Sequence, residues 1–88
     1  MTKNVTIVWG INSPWDESHA AAREIRIAYL QSKFQAGLTT NVEGTRTDNT
    51  VVRDWVDQTA AEEDVAYVGT FANTYGLDIV SIAISDPA

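Results

Sequence analysis

His19 is the only imidazole in the chain and so the first side chain to weigh as a general base. Asp16 stands three residues before it, a spacing that puts the pair on one side of a helix beside Trp15 and Arg23. Acid–base work by His19 would need a lined pocket and a second polar group. On this pattern His19 is a pocket candidate and nothing more. Arg53 and Asp54 are sequence neighbours in a β-patterned stretch, so they point to opposite faces and cannot act on one substrate together. Asp54 and Asp57 are not on one face either, which weakens a paired-carboxylate scheme. Ser13, Ser18 and Ser81 have no surrounding motif of the kind that activates a nucleophile. The five glycines, at 10, 37, 44, 69 and 76, form no phosphate-cradling loop. With one histidine, no cysteine and no calcium-loop spacing of carboxylates, no catalytic, metal or cofactor residue is expected.

Charge narrows the partners. Twelve acidic residues against six basic ones give a net charge of -6, which repels phosphate backbones and anionic lipid surfaces. Trp9 and Trp55 could in principle stack bases on neighbouring strands. The basic side chains, however, are only Lys3, Arg23, Arg26, Lys33, Arg46 and Arg53, and the basic-aromatic strand motif is missing, so no nucleic acid is expected. The absence of cysteine fits a reducing, cytoplasmic setting. No window approaches eighteen apolar residues, and the N-terminus lacks a signal-peptide pattern, so no membrane association is expected. Asn4-Val5-Thr6 matches a glycosylation acceptor but, without secretion, by chance.

The elements that would position these residues follow from periodicity. Residues 5–11 alternate as a strand, with Val5, Ile7, Trp9 and Ile11 on one face; Gly10 marks a bulge or a close backbone approach. Ser13 as cap and Pro14 at the first position predict a helix running to residue 36, with Gly37 as its left-handed terminator. Glu17, Glu24, Gln31 and Gln35 make its polar stripe. Ile27, Leu30 and Phe34 form one apolar ridge, and Ala22, Ile25, Tyr29 and Ala36 form another about 140° away at 100° per residue. Residues 39–57 read as a hairpin with arms at 40–45 and 50–57 and a turn at Asp48-Asn49. A second helix opens on the capping box Thr59-Ala60-Ala61-Glu62, carries the stripe Ala61, Val65, Val68, Ala72 and Tyr75 widened by Tyr67 and Phe71, and ends at Gly76. Gly69 in its interior suggests a close neighbour. A last strand covers 78–85.

The order β-α-β-β-α-β in 88 residues predicts a single α+β domain of ferredoxin-like type, a four-stranded antiparallel sheet with both helices on one face. Neither face of the strands is clearly polar. Apolar surface is thus expected to remain uncovered, and a homodimer or another protein partner to cover it, with Trp9, Trp55, Ile25, Tyr29, Tyr67 and Phe71 as interface candidates. The leading expectation is a non-catalytic interaction or accessory protein. The alternative is a small dimeric enzyme or ligand-binding protein with its pocket between sheet and helices. A filled helix–sheet core favours the first, and a closed pocket holding His19 and a carboxylate favours the second.

The arm Val51-Val52-Arg53-Asp54-Trp55-Val56-Asp57 leading into Thr59-Ala60-Ala61-Glu62 resembles small uncharacterised accessory proteins of tailed bacteriophages. There too a strand ending near an aromatic precedes an alanine- and glutamate-rich helix that closes on an Ile/Val strand. The resemblance covers roughly the C-terminal 40 residues. It implies a virus-encoded accessory protein made in the bacterial cytoplasm and carries over no site residues.

Overall fold

The computed structural model describes residues 1–34, 36–39 and 43–87. The readings of Gln35 in the polar stripe and of residues 40–42 in the first hairpin arm lie outside them. Strand β1 (Lys3–Trp9) is followed by a 3-10 turn (Glu17–His19), helix α1 (Ala20–Lys33), strands β2 (Thr45–Thr47) and β3 (Thr50–Trp55), helix α2 (Gln58–Tyr75) and strand β4 (Ile79–Ser85). The sheet order is β2-β3-β1-β4, and every neighbouring pair is antiparallel. β1 is central, with Ile7 opposite both Val51 and Ile82.

The two-residue period decides which face is inside. Val5, Ile7 and Trp9 of β1 and Val51 and Trp55 of β3 are buried against Ala22 and Leu30 of α1 and Ala61, Val68, Phe71 and Ala72 of α2. Ile82 and Ile84 of β4 join from the edge, half-buried. Both helices therefore cover one face, and the fold is ferredoxin-like α+β. The opposite face carries Asn4, Thr6, Val8, Thr50, Val52, Asp54, Ser81, Ala83 and Ser85 by the same alternation. It is mostly small and polar. Trp9 and Trp55, expected as open-face candidates, instead turn inward and are 3% and 1% exposed, and Phe71 is buried against Trp9 edge-on at 6.5 Å. Three aromatic rings are what fills the layer between sheet and helices, so none of them is available to another chain.

Helix boundaries differ from those the capping residues suggest. Ser13 does accept a hydrogen bond, from the Trp15 amide at 3.0 Å, but this closes a local turn rather than opening the long helix. The helical rise instead begins as the 3-10 turn capped by Asp16, whose Oδ1 accepts from both the Ser18 amide and its hydroxyl at 3.0 Å. Those two bonds hold the Asp16 carboxyl below the usual carboxylate range, backbone donor first. α1 stops at Lys33, with Phe34 extended and the Gly37 and Leu38 amides both donating to the Lys33 carbonyl. Gly37 has no positive φ, since only Gly44 and Gly76 do among the described glycines. An added Cβ would stand 3.4 Å from the Ala60 Cβ and 3.5 Å from the Trp55 ring, ordinary contact distances, so neither backbone nor space demands a glycine there. α2 is capped by Asp57, whose carboxylate accepts from the Ala60 amide at 2.9 Å, and Thr59 lies inside the helix. Gly76 ends it with a φ of 65° as the pattern required. Gly10 meets both expectations, with a register shift at Val8/Trp9 beside it and only 2.8 Å between an added Cβ and the Asp78 Cβ.

Candidate functional site

Two regions stand out, at opposite margins of the sheet. The first is a groove of about 660 Å³ between the start of α1 and the β2–β3 hairpin, lined by Trp15, Arg23, Ile27, Glu43, Arg46 and Asp48. Its side chains are placed by local chemistry. The Ser13 turn, with Ser13 and Pro14 buried, holds Trp15 half-buried at the floor. Arg23 and Ile27 are four residues apart and share a face of α1. Arg46 is fixed across the hairpin turn, where Asp48 takes a φ of 54° and its carbonyl accepts from Arg46 Nε at 3.0 Å. The Arg46 guanidinium then lies 5.0 Å from the Trp15 ring centroid, and that of Arg53 lies 6.0 Å from it. Arg53 comes from the inward face of β3 and donates to the Glu43 carbonyl at 3.4 Å.

Behind the groove the interior is unusually charged. Arg26 of α1 and Asp64 of α2 form a two-pronged ion pair at 2.6 and 3.2 Å, with both side chains essentially without solvent contact. The Arg26 guanidinium also lies 5.7 Å from the Tyr29 ring and 5.5 Å from the Tyr67 ring, which stack on each other at 3.7 Å and 7°. Burial, then the Asp64 and Glu63 charges, push the Tyr29 hydroxyl up to about 12, and burial raises Tyr67 as well. Desolvation, aided by repulsion from Arg26, brings Arg53 down to about 10. The ion pair clamps α1 to α2.

The second region is the free edge of β4. On one side β4 pairs with β1; on the other no described strand pairs with it. Its sequence, IVSIAIS, has no charge, and Ile79, Ile82 and Ile84 are only half-covered by the core, while Val80 is 70% exposed. Asp78 and Asp86 bracket it, the latter ion-paired with Lys3.

The residues singled out from sequence are dispersed. His19 ends the 3-10 turn with Nδ1 3.4 Å from the Ser18 hydroxyl and does not line the groove. Tyr29 and Tyr67 are brought together, but with each other and Arg26. Ile25 is exposed on α1 and is not part of the β4 edge. Sequence reasoning missed Trp15, Arg23 and Arg46 as a group. The signal lay in the charge count, because half the basic residues of an acidic chain, Arg23, Arg46 and Arg53, gather round one indole. Among the described residues, no three His, Asp or Glu side chains gather as a metal site, and no helix is long and apolar enough to cross a membrane. Comparison with family models, with curated proteins and with solved structures finds no match.

Proposed function

We propose that this protein is a non-catalytic interaction protein that works as a homodimer, two copies pairing through their β4 edges into one continuous sheet. The observation that carries the reading is the β4 edge itself, seven uncharged residues with one row of backbone groups unpaired by any described strand and three isoleucines half-covered. Edge strands that stay single are ordinarily protected by charge, proline or a short length, and β4 has none of these between Ile79 and Ser85. Antiparallel self-pairing would satisfy the backbone and extend the cover over Ile82 and Ile84. The filled helix–sheet interior favours this role over an enzyme with a central pocket, as does the position of His19 outside the groove. A cytoplasmic setting and an accessory role of the kind found in tailed bacteriophages belong to the same proposal. They rest on the cysteine-free composition and on the resemblance of residues 51–62.

Sedimentation of the wild-type chain over a range of concentrations should show a reversible monomer–dimer equilibrium. The substitutions Ser81→Lys and Ala83→Lys together put like charges along the exposed face of the edge, and the double variant should sediment as a folded monomer. A wild-type chain that stays monomeric at millimolar concentration, or a double variant that dimerises equally well, would rule the edge out.

A further inference from the structure

We infer that the groove beside Trp15 is a binding site for a small organic monocarboxylate with a flat, apolar body. Two arginine side chains, Arg23 and Arg46, line it together with one indole ring. The Trp15 ring lines the groove, while its indole Nε1, like that of Trp55, is buried out of solvent contact and meets no acceptor among the described residues. The Arg23 guanidinium, in a chain with twelve carboxylates, has no hydrogen-bond or ion-pair partner among the described residues. Arg46 commits its Nε to the Asp48 carbonyl and is held against the indole, so its terminal nitrogens are presented at a fixed position. Planar guanidinium forks match a carboxylate with two parallel hydrogen bonds, and fixing one fork in advance lowers the ordering cost of the contact. Ile27 and the Trp15 ring supply an apolar wall, and the groove's volume, about 660 Å³, falls in the range of small-molecule sites.

The other charges of the groove define what it takes. Glu43 and Asp48 also line it, both on exposed residues of the hairpin. Two carboxylates near two arginines oppose a dianion more than a monoanion, which selects a carboxylate over a phosphate. Arg53, at 6.0 Å from the indole and already bonded to the Glu43 carbonyl, adds positive potential from beneath without needing to reach the ligand.

Benzoate is the probe, and inorganic phosphate at equal ionic strength is its control. In an amide-type NMR spectrum of the labelled chain, the three tryptophans give separate indole N–H signals. The one lost in Trp15→Phe identifies Trp15. Benzoate titrated through about 1–20 mM, the affinity range open to a ligand of so few atoms, should move that signal saturably and leave those of the buried Trp9 and Trp55 in place. Arg23→Gln should weaken binding about tenfold or more, and Arg23→Lys by an intermediate factor, since it keeps the charge and loses the fork. Absence of a saturable shift, an affinity unchanged in Arg23→Gln, or phosphate binding more tightly than benzoate would each overturn the assignment. The groove lies at the β2 margin, opposite β4, so Ser81→Lys/Ala83→Lys should bind benzoate like the wild type whether or not the chain dimerises.

Discussion

Arg26 and Asp64 are 1% and 0% exposed, and neither can be removed alone without stranding the other's charge in the interior. Asp64→Ala or Arg26→Ala should each cost about 3–5 kcal/mol in urea unfolding, whereas Arg26→Met with Asp64→Leu should recover most of that loss, because the desolvation penalty of the pair disappears with it. A double variant as unstable as the singles would mean that the pair contributes more than mutual neutralisation. The same pair explains where reading from sequence stopped. Periodicity predicts two apolar ridges on α1, about 140° apart at 100° per residue; the buried stripe runs between them as Ala22, Arg26 and Leu30, with an arginine at its centre. On α2 the stripe is Ala61, Asp64, Val68, Phe71 and Ala72, displaced from the expected one by an aspartate and drawn toward Phe71. A pattern that scores charge as surface cannot see a buried ion pair, because each partner looks exposed until the other is placed. The two-residue period of β3 groups Arg53 with Val51 and Trp55, and the structure turns that whole face inward.

At the level of elements, existence and type were legible while ends were not. Strands β1, β3 and β4 and both helices arise where periodicity put them, and the Asp48-Asn49 turn and Gly76 terminator are as expected. Capping residues misled because several candidates lie close together. Asp57 and Thr59 can both accept an amide bond, and Asp57 prevails by following the strand with extended backbone. Ser13 and Asp16 compete in the same way before α1, and the outcome is a turn, then a 3-10 segment, which is what sets Trp15 into the groove. Gly69 was expected to admit a neighbour, but an added Cβ would find nothing within 4 Å. It is a plain loss of helix propensity at an exposed position. Gly69→Ala should therefore raise the unfolding free energy by up to about 1 kcal/mol with no change in self-association or benzoate binding. A destabilised variant would show that the site is filled in solution by something the isolated chain does not supply.

For the whole molecule, topology followed from element order, since antiparallel pairing and right-handed crossovers leave few ways to arrange β-α-β-β-α-β. Which face was covered did not follow, because Val52 and Val56 oppose Val51 and Trp55 with similar apolar weight. The bulk of the two indoles settles it, and with them buried the uncovered apolar surface shifts to the β4 edge. Two chains meeting there each carry a net charge of -6, and antiparallel pairing brings the Asp78 end of one strand toward the Asp86 end of the other. Lys3 offsets only Asp86. The electrostatic term of dimerisation is thus repulsive, and the attraction comes from backbone pairing and apolar cover, which salt does not weaken. Raising ionic strength from about 0.01 to 0.15 M shortens the screening length from about 30 to 8 Å and should tighten the dimer. Benzoate in the arginine groove is held by opposite charges and should bind more weakly over the same range. Sedimentation and the Trp15 signal, measured on the same samples, would read the two trends together. Dimerisation that loosens with salt would point to a charge-paired contact elsewhere on the molecule and would remove β4 from the interface.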